Sequence, residues 1–213
     1  MLKPYHIAIE GNIGVGKTSL AKILATELGG DLVLERFEEN PFLSDFYVDP
    51  KKYALQTQLF FLLSRYKQQI ELKQIDLFSK AIISDYMFIK DRLFAMLNLD
   101  DRELDLYDSV AKILESNIIS PDLVIFLQSD TNRLMDNIHQ RGRDYELKME
   151  SDYLNNLGEL YNKYFFTYTD SPLIIINSND IDFVNNKSDL KQILDFIKTP
   201  PSGTEYFNPT IQK

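Results

Sequence analysis

The chain has 213 residues, 44% hydrophobic and 26% charged, enough to bury the core of one large domain without staples. It has no cysteine and only two histidines, which excludes a disulfide scaffold, a cysteine nucleophile and thiolate or histidine-rich metal centres. The net charge of −9 argues against general nucleic-acid binding, yet a few local Lys and Arg residues suffice for a small anionic ligand.

The predicted elements alternate between short apolar strands and helices. Tyr5–Glu10 reads as a buried strand and Lys17–Leu28 as a helix ended by Gly29-Gly30. Leu32–Glu35 is a second strand, followed by a long helix, Lys51 to about Lys73, rich in Leu, Phe and Gln. Ala81–Ser84 is the third strand; Ile89–Leu97 and Asp101–Asn117 are helical. Leu123–Leu127 is the fourth strand, and Thr131–Gln140 a helix stopped near Gly142. Then come a helix Glu150–Thr169, a fifth strand Leu173–Asn177 and a closing helix Ser188–Ile197. This order predicts an α/β fold, a five-stranded parallel sheet with helices on both faces. Residues 1–198 read as a single domain, and 199–213, with Pro200, Pro201, Gly203 and Pro209, as an irregular tail. Apolar runs are far too short for a membrane span, and the N-terminus enters a strand with no signal-peptide pattern. A soluble, cytoplasmic protein is expected.

Gly11-Asn12-Ile13-Gly14-Val15-Gly16-Lys17-Thr18 is a complete G-x-x-x-x-G-K-[ST] motif, with a strand before it and a helix after it, and Ser19 continues into the helix. Its glycines let backbone N–H groups wrap phosphates, and the helix N-terminus adds partial positive charge. Lys17 is expected to reach the terminal phosphates, and the Thr18 hydroxyl to help hold Mg²⁺. The protein is therefore read as a P-loop nucleotide binder, with a GTPase as the first competitor and a small-molecule kinase, of P-loop kinase fold, as the better fit.

Asn186-Lys187-Ser188-Asp189 matches the guanine-reading N-K-x-D pattern, but it lies several polar residues beyond the fifth strand. No glycine has an Asp three residues before it, so the D-x-x-G switch of a GTPase is missing. Ser188 reads instead as the cap of the last helix.

A kinase needs a base, an acid near Mg²⁺ and cations that cover the phosphate in transit. Glu35, at the end of the second strand, suits the base, although Glu38 and Glu39 make a surface carboxylate an equal reading. Asp85 follows the third strand and suits the acid, or a simple turn. Arg141-Gly142-Arg143 suits a mobile lid, or a solvated helix end. Gln58 and Arg65, seven apart on the long helix, share a face from which a base edge could be read, or form a partly exposed stripe.

These segments together resemble the deoxyribonucleoside kinases, the group of the deoxycytidine, deoxyguanosine and deoxyadenosine kinases. The resemblance rests on residues 10–18, Leu34 to Pro41, Gln58 to Arg65, Ser84-Asp85, Asp91-Arg92 and Gln140 to Arg143, and runs through about residues 4–198. It implies ATP- and Mg²⁺-dependent phosphorylation of a deoxynucleoside 5′-hydroxyl in nucleotide salvage by a homodimer. Glu35 would be the base, Tyr47 and Glu146 would hold the sugar 3′-hydroxyl, Gln58 would read the base edge, and Arg65 with Asp91 would set base preference. Arg141 and Arg143 would be lid arginines, and Asp85 would stand in the family's D/E-R-S motif. Tyr86-Met87 replaces the Arg-Ser of that motif, with Arg92 as the nearest candidate substitute, and Asn137 replaces an earlier lid arginine. These departures resemble the bacterial deoxyadenosine and deoxyguanosine kinases. Deoxyadenosine is the favoured substrate, then deoxyguanosine, with deoxycytidine secondary. A nucleoside monophosphate kinase of the thymidylate-kinase kind, with Arg36 and Arg65 on the acceptor phosphate, is the alternative; a non-catalytic nucleotide sensor is a third reading.

Overall fold

The computed structural model describes residues 5–72, 80–115, 118–179 and 181–207. The elements run β1 (Tyr5–Gly11), α1 (Lys17–Leu28), β2 (Asp31–Val33), a 3₁₀ turn (Phe37–Glu39), α2 (Leu43–Val48), α3 (Pro50–Leu72), β3 (Ala81–Ser84), α4 (Ile89–Asn98), α5 (Asp101–Glu115), β4 (Leu123–Gln128), α6 (Thr131–Arg141), α7 (Ser151–Phe166), β5 (Leu173–Asn177), α8 (Lys187–Ile197) and β6 (Thr204–Phe207). The sheet order is β2-β3-β1-β4-β5-β6, with all pairings parallel.

The expected α/β architecture is present, but the sheet has six strands rather than five. The sixth comes from the segment expected to be an irregular tail. Thr204 to Phe207 pair with Leu173 to Ile176, and Phe207 packs its ring 5.0 Å from that of Phe196 on α8. Its outer edge is exposed, so the segment lacks the apolar run of an inner strand, and its proline-rich approach masked it. Residues 208–213, the rest of that tail, and the expected ends of two helices at Lys73 and Asn117 lie outside the described residues. The cap of α8 is Asn186 rather than Ser188: its carboxamide oxygen accepts from the N–H groups of Ser188 and Asp189 at 2.9 and 3.4 Å.

Period-two alternation along the inner strands divides the core. Ile7, Ile9, Ile125, Leu127, Ile174 and Ile176 join a cluster with α1 and α8, while Ala8, Val124, Phe126, Leu173 and Ile175 face α7. A smaller cluster of Leu62, Ala95, Tyr107 and Ala111 ties α3, α4 and α5 together. After β1 the chain builds β2 and β3 on one side and β4 to β6 on the other. The carboxyl end of β1 is thus the switch point where open α/β sheets hold ligands. No helix among the described residues is long and apolar enough to cross a membrane.

Candidate active site

The P-loop fills the switch point. Gly11, Gly14 and Gly16 all have positive φ, at 146°, 83° and 101°. A Cβ on Gly11 would stand 2.4 Å from the Leu127 carbonyl oxygen, and one on Gly16 would stand 2.9 Å from the Phe183 ring. These positions therefore require glycine on two counts, conformation and close approach. Asn12 pins the loop to α7, donating to the Leu154 carbonyl at 2.8 Å and accepting from the Ile13 N–H at 2.8 Å. Asn137, where the resemblance led to a missing lid arginine, donates to the Gly14 carbonyl at 2.8 Å. It has become an anchor of the loop. Val15 is buried, while Thr18 and Ser19 open α1 on the exposed side.

Lys17 folds back over the loop, donating to the carbonyls of Gly11 and Asn12 at 2.8 and 2.9 Å. Burial, and then the nearby Lys90 ammonium, push its pKa down to about 8 against the pull of Glu10, Glu35 and Asp85. Asp85 bridges two elements: it accepts from the Thr18 hydroxyl at 2.5 Å and from the Glu35 N–H at 2.8 Å. Glu35 lies two residues beyond the end of β2, which stops at Val33 rather than running on to it. The Asp85 carboxylate, not the sheet ladder, fixes the backbone there.

The inward stripe of α3 carries Gln58, Leu62, Arg65 and Gln69 at helical spacing, all buried. The Arg65 guanidinium is divided between two carboxylates, reaching Asp91 of α4 at 2.6 Å and also pairing with Glu35. The second Glu35 oxygen is taken by the Lys90 ammonium. Burial works against the Glu35 anion, but Arg65 and Lys90 outweigh it and hold the carboxyl well below the usual range. Asp91 is left with half a guanidinium. Burial raises its pKa to about 7 despite Arg65, and the Glu35 charge adds to the rise. Gln58 Oε1, Arg65 Nε and Asp91 Oδ2 are buried without an internal partner, so the end of the cavity offers unsatisfied donors and acceptors to a polar ligand.

At the other wall, Gly142 ends α6 in the left-handed conformation, φ 68°. Arg141 and Arg143 on either side of it both reach the buried Glu146 carboxylate, Arg143 at 3.2 Å. The Arg143 guanidinium also lies 3.9 Å above the Phe37 ring. Tyr47 of α2 packs edge-on against Phe46 and tilted on Tyr145, both at 5.4 Å between ring centres.

Two cavities open here. The inner one is lined by Glu35, Tyr47, Gln58, Arg65, Asp91 and Glu146. The outer one is lined by the P-loop from Gly14 to Ser19, Arg133, Asn137 and the stretch 181–185. They share Gly14, Lys17, Thr18, Arg141 and Arg143. Glu35, Tyr47, Gln58, Arg65, Asp85, Asp91, Arg141, Arg143, Glu146 and the loop from Ile13 to Ser19 therefore line one or both of these adjoining cavities, while Gly11 and Asn12 line neither. Nor does Arg92: it is exposed on α4 and grips Asp108 at 2.9 and 3.1 Å. Arg36, a candidate for an acceptor phosphate, pairs with Glu71 and Glu39 on the surface.

Sequence reasoning missed Lys90 and Glu10. Glu10 is fully buried under the P-loop, accepting from the N–H groups of Gly11 and Met87 at 3.1 and 2.6 Å and from the Tyr161 hydroxyl at 3.0 Å. Burial raises its pKa, opposed by Lys90 and Lys17. A charged residue inside an apolar strand was a readable signal for Glu10; Lys90 had none beyond its place beside Asp91.

The sequence profile of the deoxynucleoside kinase family matches residues 7–200. The chain belongs to the deoxynucleoside kinase family. It is 33% identical over 199 residues to the deoxyguanosine kinase of Bacillus subtilis, covering 90% of this chain and 95% of that one. It is 34% identical over 212 residues to the deoxyadenosine kinase of Dictyostelium discoideum, covering 97% and 83%. A solved deoxyadenosine kinase from M. mycoides with bound dATP superposes with a TM-score of 0.80 at 26% identity, covering 92% of this chain and 100% of that one. The protein is thus a nucleotide-binding phosphotransferase with an alcohol group as acceptor.

Proposed function

We propose that this kinase transfers the γ-phosphate of ATP to the 5′-hydroxyl of a purine deoxynucleoside, deoxyadenosine first and deoxyguanosine next, with deoxycytidine as a secondary substrate. The reaction belongs to nucleotide salvage in the cytoplasm. The observation that carries this reading is the ionised Glu35 carboxylate standing in the inner cavity where it meets the P-loop. A carboxylate held anionic there suits a neutral alcohol acceptor and repels an acceptor that already carries a phosphate. Arg65, the cation a monophosphate kinase would need, is already engaged by Asp91 and Glu35.

In this reading the triphosphate lies along Gly11 to Ser19 in the outer cavity, with Lys17 turned from the loop carbonyls to the terminal phosphates. The Thr18 hydroxyl and Asp85 carboxylate form a hard-oxygen pair beside the phosphate path, a donor set that fits Mg²⁺ once phosphate and water oxygens complete it. Bound there, the ion would neutralise charge on the phosphates. The nucleoside base meets Gln58, Arg65 and Asp91, and the sugar 3′-hydroxyl meets Tyr47 and Glu146. Glu35 takes the 5′ proton as the 5′ oxygen bonds to the γ-phosphorus and ADP departs with the electron pair of the broken bond. Arg141 and Arg143 leave Glu146 for the phosphoryl oxygens and help exclude water.

The assembly is a homodimer joined through α3 and α5, whose Leu63, Ile70 and Leu106 are exposed large apolar side chains. A monomer at micromolar concentration would contradict this. The test of function is a coupled assay with ATP and Mg²⁺ against the four deoxynucleosides, their ribose counterparts and the deoxynucleoside monophosphates. Turnover of deoxyadenosine and deoxyguanosine above all others is expected; turnover of monophosphates alone would overturn the reading.

A further inference from the structure

The segment after Asp85 holds Tyr86-Met87, so no arginine follows the acid. Neither residue can be recruited to the phosphates. Tyr86 is buried under Arg65, whose guanidinium lies 5.2 Å from its ring centre, and the Met87 N–H is held by Glu10. Arg92 is turned to the surface by Asp108. Another cation does reach the site. Lys90, in the first turn of α4, is only 7% exposed and lines the inner cavity beside Lys17, Thr18, Glu35 and Asp85.

We propose that Lys90 is the second cation of the phosphoryl-transfer site, neutralising Glu35 in the free enzyme and facing the transferring phosphoryl group during the reaction. A lysine is rarely buried unless paired, and the partner of Lys90 is the one carboxylate that the reaction must neutralise. Glu35 binds it through the oxygen that Arg65 leaves free. Its second neighbour is another cation, Lys17, which feels its charge directly. Both ammonium groups line the same cavity, and negative charge that builds on phosphoryl oxygens between them during transfer would offset their mutual repulsion. Glu10, Asp85 and Asp91 complete the charged surroundings of the pair.

The proposal rests on Glu35 as the base. The proton of the 5′-hydroxyl passes to Glu35, the 5′ oxygen bonds to the γ-phosphorus, and the bond to the β–γ bridging oxygen breaks with its electron pair going to ADP. Lys90 keeps its proton throughout. Once Glu35 is protonated, it no longer balances the ammonium, whose charge is then available to the oxygens of the phosphoryl group. Charge compensation passes from base to phosphate as the transfer proceeds.

The test compares wild type with Lys90→Met, Lys90→Gln, Lys90→Arg and Arg92→Met, using ATP, Mg²⁺ and the preferred deoxynucleoside. ATP binding by calorimetry and thermal unfolding are measured on each. Lys90→Met is expected to lower kcat by about 10²–10³-fold while nucleoside KM and ATP affinity stay within about threefold. Lys90→Arg should recover at least about tenfold of that loss, and Arg92→Met should stay within about twofold of wild type. Lys90→Gln keeps a hydrogen-bond donor without the charge, and serves if the methionine variant does not fold; its kcat should fall by a comparable factor. A folded, ATP-binding Lys90→Met or Lys90→Gln enzyme with kcat within about twofold of wild type would overturn the proposal. So would an arginine variant no better than the uncharged ones, the mark of a packing role. If Glu35→Gln turned over fully, the base assignment itself would fail; loss there with none at Lys90 would sink this inference alone.

Discussion

Two carboxylates in this enzyme are each clasped by a pair of cations, and the two clasps behave differently. Glu35 is held by side chains almost out of water, Arg65 at 3% and Lys90 at 9% exposure. Glu146 is itself buried at 6%, but its partners Arg141 and Arg143 are 35% and 31% exposed. The first clasp joins two helices packed in the core. The second hangs on the turn after α6, hinged at Gly142. A buried, multiply paired charge is costly to break once one partner is lost. A half-solvated pair contributes little, on the order of 0–1 kcal/mol, and exchanges partners readily. Under the proposed mechanism the same charge arithmetic would serve a fixed base on one side and a lid whose arginines move to phosphate on the other.

Breaking the fixed clasp should cost most. Glu35→Gln is expected to lower kcat by about 10²–10⁴-fold while ATP affinity, measured by calorimetry, barely changes. Breaking the mobile clasp from its cationic side should cost less per residue: Arg141→Gln is expected to lower kcat by about 10–10²-fold with little change in melting temperature, since its pair is largely solvated. Melting temperature then sharpens the contrast, because Arg65→Gln, which leaves Asp91 and Glu35 short of a buried cation, should lower it clearly where Arg141→Gln does not.

The pH dependence separates the regions further. With the Lys17 pKa near 8 in the free enzyme, ATP affinity should fall as pH rises through that value. Binding near pH 8 should take up protons, seen as a buffer-dependent heat in calorimetry. A second pH effect concerns Asp91. Its folded pKa, raised to about 7 from 3.8, means the folded state binds more protons than the unfolded one between those values. The Asp91 contribution to stability is therefore greatest below about pH 4 and falls towards pH 7, by at most roughly 1.4 kcal/mol per pH unit for one proton. Asp91→Asn should lessen that fall in urea titrations at pH 4, 5.5 and 7. Glu35, with its pKa lowered, acts in the opposite sense: its stabilisation is present above its unfolded value of about 4.5 and is lost as the pH drops further.

The mobile side was the more legible of the two in the sequence. Arg141-Gly142-Arg143 declares itself locally, and the P-loop from Gly11 to Thr18 does so fully, because spacing alone dictates a turn into a helix. The inner strands were legible for the same reason, being short apolar runs between turn signals. β6 was not, since Thr204 to Phe207 gains its strand state from pairing with β5 rather than from its own pattern. The fixed clasp was half visible. Glu35, Arg65 and Asp91 could be singled out, but that one guanidinium serves both carboxylates depends on how α3 crosses α4. Lys90 was hidden because nothing local distinguishes a lysine aimed inward from one in solvent. Arg92, two residues on and the candidate substitute that the sequence offers, lies on the outward face of α4 against Asp108.

Under the proposed mechanism Glu35 accepts the proton of a neutral sugar alcohol beside a triphosphate held by the P-loop. A crystal structure with deoxyadenosine and a non-hydrolysable ATP analogue tests it most directly. The 5′ oxygen is expected within about 3 Å of a Glu35 carboxylate oxygen and in line with the γ-phosphorus. A 5′ oxygen held elsewhere, with Glu35 still locked between Arg65 and Lys90, would contradict it.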